Sequence, residues 1–191
     1  MLGLVVFSIA VAGCHIHKQV EISLPIPVKE VEKIPLRVAL YLDSSLTYYS
    51  KGPGGGQYTL KMGEAFSKGA EYIGNKAFRE VITVETKDPE KIPKGFDALI
   101  ILEVDRIYGG VPNERSRLAL VKIVWTIQDM NGKLLYRNSF GAEAYMSIPF
   151  TSSKASGAYA KAIEEQFTKA FVGITSVKWW ESIKTETDQP K

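Results

Sequence analysis

Histidine and cysteine are nearly missing from this chain of 191 residues, and their scarcity narrows its chemistry first. The one cysteine is Cys14 and the two histidines are His15 and His17, so nothing beyond residue 17 carries a thiol or an imidazole. That removes Ser-His-Asp and Cys-His catalysis from the bulk of the chain, together with nitrogen or sulfur ligation of a transition metal. A single cysteine also excludes an internal disulfide, so stability must come from packing. Charge of one sign is lacking too. The 24 basic side chains are interspersed with 21 acidic ones, for a formal net charge of +3. Nucleic-acid binding calls for a clustered basic face, and this balance argues against it. The glycines at Gly52-Pro53-Gly54-Gly55-Gly56 do not build a phosphate loop, because Gly56 is followed by Gln57-Tyr58 rather than Lys-Ser/Thr. The spacing of a dinucleotide fingerprint fails as well. No cofactor or metal is expected.

The first residues carry the most specific signal. Leu2–Ala12 is apolar but far shorter than the roughly 20 residues that cross a bilayer as a helix. It fits the apolar core of a secretory signal, about 7–15 residues long and ending in small residues. Here Ala12 and Gly13 lead straight into Cys14. Val11-Ala12-Gly13-Cys14 resembles the bacterial lipobox, and the resemblance implies diacylglycerol on the Cys14 sulfur, cleavage before Cys14 and acylation of its new amino group. Two or more acyl chains anchor a protein stably where one does not. No Lys or Arg precedes Lys18, which leaves the positive charge of the signal to the Met1 amino group or to a start further upstream. In the Cys14-His15-Ile16-His17 cluster a lipidated sulfur offers no thiolate, so both histidines read as interfacial residues of a tether.

Behind the anchor the sequence divides simply. Residues 1–13 form the signal, and 14–35 form a lipidated, extended tether carrying Pro25, Pro27 and Pro35. Residues 36–180 make one domain, and 181–191 a polar tail. Proline keeps the tether out of a helix, while alternation of Val20, Ile22, Leu24, Ile26 and Val28 is a strand pattern. Such a segment either lies against the domain as a spacer or adds to a sheet edge, its own or a partner's. Arg37–Leu42 alternates as a first strand. From Leu60 the period turns helical, with Met62, Phe66, Ala70, Ile73 and Ala77 on one face. Strands follow at Val81–Glu85 and Ala98–Ile107. Leu118–Gln128 and Lys133–Tyr145 flank Asn131-Gly132 as a hairpin, burying Ala119, Val121, Ile123, Trp125 and Ile127 on one face. Tyr159, Ile163, Phe167, Ala170 and Ile174 mark a second helix, with Ser152 or Ser153 as N-cap. The order β-α-β-β-β-β-α predicts an α+β fold, a mixed and mostly antiparallel sheet with two helices packed on one face.

Taken together, RVALYL after the tether, the helix over Leu60–Phe78, FDALIILEV at Phe96–Val104, the hairpin IQDMNGKLLY at Ile127–Tyr136 and the closing helix Tyr159–Val177 resemble a group of envelope lipoproteins. These place a small α/β domain similar to the amino-terminal domain of TolB behind a lipid anchor, and YajG-like lipoproteins are among them. The anchor, the tether and the absence of catalytic groups point to a non-enzymatic accessory or scaffold subunit of a cell-envelope assembly, held on a membrane by lipid on Cys14. Its partner would be an envelope protein or a second copy. His15 rather than Asp after Cys14 implies the periplasmic face of an outer membrane, with the inner membrane as the alternative. Exposed aromatic residues make good anchors, and Tyr48, Tyr49 and Tyr58 beside the glycine loop are candidate contacts. Trp179 and Trp180 after the last helix either dock on a partner or membrane interface or pack over the end of the core. Leu118, Leu120 and Val124, on the other face of the hairpin, are a further candidate surface. Two other classes remain: a binding module for a lipid, glycan or peptidoglycan fragment, and a carboxylate hydrolase using Asp43, Glu103 or Asp105.

Overall fold

The computed structural model describes residues 16–47, 50–51, 58–113, 116–147 and 151–183. Its centre is a five-stranded sheet with the order β5-β2-β6-β7-β8. The strands are β2 (Ile34–Leu42), β5 (Phe78–Val84), β6 (Ala98–Asn113), β7 (Ser116–Asp129) and β8 (Leu134–Ser147). β2 runs parallel to both β5 and β6, whereas β6, β7 and β8 form a long antiparallel meander. Two helices, α2 (Gly63–Ala77) and α3 (Ser152–Ser176), cover one face. The sheet is thus mixed and mostly antiparallel, with both long helices on one side, as the sequence pattern predicts.

Alternation explains which face is buried. Side chains of a strand point to opposite faces in turn, so Ile34, Leu36, Val38, Leu40 and Leu42 on β2 look towards the helices. Ala119, Val121, Ile123, Trp125 and Ile127 do the same on β7, each almost fully buried. The helices answer with Met62, Phe66, Ala70, Ile73 and Ala77 before and along α2, and with Tyr159, Ile163, Phe167, Ala170 and Ile174 along α3. Trp125 and Phe167 meet edge to face with ring centroids 6.0 Å apart, a favoured aromatic arrangement. A Cβ on Gly69 would run into the Phe167 ring, so the missing side chain of α2 lets that ring sit between the helices.

The two halves of the sheet differ on their other face. Parallel strands are normally buried on both sides. Here Ala39, Tyr41, Ile82, Val84, Leu99 and Ile101 form a second cluster, closed by Ile92, Phe96 and Met130. Arg37 ties this cover down. Its guanidinium holds Glu80 through two hydrogen bonds of 2.7 and 3.2 Å and lies 5.0 Å from the centroid of the Phe96 ring. Its backbone N–H donates to Asp97 at 2.7 Å. Among the described residues the antiparallel half has no such cover over β7 and β8.

The structure departs from the sequence reading at four local points. Leu60 belongs to a short strand, β4 (Tyr58–Lys61), and the helix begins only at Gly63. Thr151, rather than Ser152 or Ser153, caps α3 by accepting from the Lys154 N–H at 3.2 Å. The strand read at Val81–Glu85 starts earlier, at Phe78, directly where α2 ends. The turn at Asn131-Gly132 is longer than a two-residue hairpin, and only Gly132 takes a positive φ, of 83°. Asp129 organises it, its carboxylate accepting from the N–H groups of Asn131 and Lys133 at 2.9 and 2.8 Å.

Residues 16–33 lie against the domain. β1 (Ile16–Gln19) joins a second, three-stranded sheet of order β1-β4-β3, with β3 at Ser50–Lys51. A one-turn helix, α1 (Ser44–Thr47), leads from β2 towards β3. From Gln19 the chain passes over the helix pair. Val20 and Ile26 are each only 1% exposed, and the Ser23 N–H donates to Glu164 on α3 at 2.5 Å.

Two outcomes follow from this packing. Phe167→Ala should cost about 3–5 kcal/mol, because it empties the space between Trp125 and Gly69, as measured by urea unfolding. The hydrogen bond from Arg37 holds the Glu80 carboxyl below its ordinary value. Stability from that bond is therefore complete above the ordinary carboxylate range and lost as pH falls through the lowered value. Glu80→Gln should flatten that part of the acid-unfolding curve and leave the curve near neutrality parallel to wild type.

Candidate contact surface

The outer face of the antiparallel meander carries the most distinctive surface among the described residues. β6, β7 and β8 are 16, 14 and 14 residues long, well above the usual strand length. Cross-strand register places Tyr108, Leu120 and Glu143 in one row and Gly110, Leu118 and Tyr145 in the next. Tyr145 is 64% exposed and Tyr108 48%, while Leu118 and Leu120 between them are half-buried.

A bulge decides that Tyr108 is there at all. From Ala98 the residues 98, 100, 102 and 104 face the helices, and unbroken alternation would send Tyr108 inward as well. The register shifts between Val104 and Arg106, so Ile107 becomes the inward residue opposite Val121. Tyr108 then turns outward opposite Leu120. The same shift brings Gly109 under α3, where a Cβ would strike the Tyr159 hydroxyl.

Below the two apolar rows runs a charged one. Arg106, Lys122 and Gly141 are cross-strand neighbours, and Lys122 pairs with Asp105 at 2.7 Å. Asp105 also accepts from the Ser139 hydroxyl at 3.0 Å. These two hydrogen bonds, that from Lys122 first, hold its carboxyl below the ordinary value. In the row between, Glu143 accepts weakly from the Tyr145 phenol at 3.4 Å. Two tyrosines flanking two leucines, with a charged row along one side, have the composition of a protein interface, where aromatic and apolar residues gather and charged ones keep to the rim.

The free edge of β8 is less open to pairing than its face. The Gly141 carbonyl points away from β7 and accepts from the Lys169 ammonium of α3 at 3.1 Å. The Ser139 N–H is taken up by the Asn138 side chain at 2.8 Å. Such devices blunt an edge strand against another chain.

The residues singled out from sequence are dispersed. Cys14, Tyr48, Tyr49 and the glycine loop lie outside the described residues. Tyr58 opens β4, its backbone opposite Ile16. Trp179 is buried against Phe78, ring centroids 6.1 Å apart, and its indole N–H donates to the Ile174 carbonyl at 3.1 Å. Of the two uses that the sequence left open, Trp179 takes the packing one. Trp180 sits half-buried and edge-on to it at 5.8 Å. Asp43 caps α1, its carboxyl held down by hydrogen bonds from the Ser45 hydroxyl and N–H. Glu103 is half-buried on the outer face, opposite Val124. Among the described residues no cluster of His, Cys, Asp and Glu could hold a metal ion, and no helix is long and apolar enough to cross a membrane. The space between sheet and helices is filled by Phe66, Trp125, Phe167 and Phe171. The clefts lie at the surface, one of about 480 Å³ beside Tyr41, Ser44, Ser67 and Thr83. Tyr108 and Tyr145 were missed from sequence because their position on this face rests on register.

No protein-family model matches this chain, and no curated protein does either. Solved structures do resemble it. Protein XCC0632 from Xanthomonas campestris, of family DUF330, aligns with a TM-score of 0.63 at 8% identity, over 87% of this chain and 98% of that one. A minor lipoprotein from Acinetobacter baumannii aligns at 0.48 and 9% identity, over 73% and 92%. Lipoprotein GNA1162 from Neisseria meningitidis aligns at 0.34 and 13% identity, over 70% and 99%. The Xanthomonas protein shares the fold of this chain, and at that identity the likeness extends to the fold alone.

Proposed function

We propose that this protein is exported, lipidated on Cys14, and serves as a non-enzymatic accessory subunit of a cell-envelope assembly. Its domain binds an envelope protein through the outer face of β6, β7 and β8. The observation that carries this reading is the exposed pair Tyr108 and Tyr145 flanking Leu118 and Leu120 on a face that no other element among the described residues covers. Apolar side chains grouped this way on a monomer mark interaction sites more often than chance exposure does. The Val11-Ala12-Gly13-Cys14 sequence supports the anchor, and His15 supports the periplasmic leaflet of an outer membrane. Lys169 and Asn138 on the β8 edge favour a partner that docks on the face over a second copy that extends the sheet.

A photo-crosslinking residue placed at Tyr145 in the bacterial host should capture a discrete envelope protein, and the same residue at Lys76, exposed on α2, should not. Tyr108→Ser with Tyr145→Ser should abolish capture from a crosslinker at Leu118, while unfolding shifts by no more than about 0.5 kcal/mol per exposed site. Equal capture from Lys76, or none from Tyr145, would count against the surface.

A further inference from the structure

The lipid reading of Cys14 acquires a geometric consequence from β1. Ile16 stands two residues after Cys14 and is already paired with Tyr58. His17, Lys18 and Gln19 continue the parallel ladder opposite Thr59, Leu60 and Lys61. The Val20 N–H then donates to the Lys61 carbonyl at 2.8 Å. Two residues of extended chain reach about 7 Å. The headgroup layer of one leaflet is itself roughly 5–8 Å deep, half the difference between a bilayer and its hydrocarbon core. The slack between anchor and fold is therefore consumed within the headgroups. A free tether over residues 14–35 would have allowed about ten times as much, on the order of 70 Å.

From this we infer that the protein has a fixed membrane-facing end, and that this end is the small sheet β1-β4-β3, seated against the lipid headgroups. The inference rests on lipidation of Cys14. The parallel register of β1 with β4 sets Ile16 level with Tyr58 at one end of that sheet, while β3 pairs with the other half of β4, Lys51 opposite Leu60 and Ser50 opposite Lys61. Half-buried Lys18 and exposed Lys61 lie two and three residues further along the ladder, within about 10 Å of that end, a distance over which anionic headgroups still attract cationic side chains. Fraying of β1 would not free the domain. Val20 is buried, Gln19 bonds Glu64 on α2 at 3.1 Å, and Ser23 is held by Glu164 on α3. The strap thus fastens the anchor to both helices, and the turn at Asn131-Gly132 lies beyond the opposite end of the main sheet.

The full-length lipidated protein would be reconstituted in phosphatidylethanolamine–phosphatidylglycerol vesicles that carry a headgroup spin-labelled lipid. Acylated Cys14 has no free thiol, so Lys61→Cys and Asn131→Cys each offer one site for a fluorophore. Quenching at residue 61 should exceed that at residue 131 several-fold. A flexible Gly-Ser insert of about ten residues after His15 adds on the order of 17 Å and should erase most of the difference. Acylated protein, verified by intact mass, that quenches equally at both positions would overturn the docked orientation and leave the anchor standing. A chain without acyl mass would overturn both.

Discussion

The inner face of the five-stranded sheet is apolar along its whole width, and neither long helix could cover it alone. α2 lies near the parallel strands and α3 near the antiparallel ones, so the two must meet over the middle. The Phe167 ring makes that meeting possible. It fills the space left by Gly69 on one side and stacks edge-on against Trp125 on the other. The other layers of the molecule are laid on this contact. The strap of residues 20–33 runs over the helix pair and buries Val20 and Ile26 against the same core. Trp179 closes its end against Phe78.

The chemistry of the outer face follows from strand direction. The parallel strands β5, β2 and β6 need cover on both sides, and the segment carrying Ile92 and Phe96 supplies it, fastened by Arg37 to Glu80 and Asp97. Antiparallel strands tolerate one solvated face. On β6, β7 and β8 that face combines a charged row with two rows of tyrosine and leucine, which is the composition a docking partner requires. The strap and the small sheet bring Ile16 to one end of the fold. The contact surface and the anchor point proposed here, both fixed relative to the core, would suit a subunit that holds a partner at a set distance from a membrane.

Much of this was legible in the residues. Both helix stripes, the buried face of β7 and the element order followed from periodicity, because each is a local pattern repeated over several turns or residues. What escaped depends on pairing over long separations. β1, β3 and β4 are too short to show a period, and Leu60 fits the helical series of Met62 and Phe66 as well as it fits a strand. The segment 85–97 covers the outer face with isolated residues, Ile92 and Phe96, that share no spacing. Tyr108 is the clearest case. Alternation alone sends it into the core, and only the bulge after Val104, visible once β6 is set against β7, turns it outward. The candidate surface was therefore half visible, through Leu118 and Leu120, while its two most exposed residues were not.

The most direct measurement is the intact mass of the protein taken from a bacterial envelope, wild type beside Cys14→Ser. The account predicts a mature chain that begins at Cys14 and carries diacylglycerol with a further acyl group, both absent from the variant. A wild-type chain that retains residues 1–13 without lipid would contradict it.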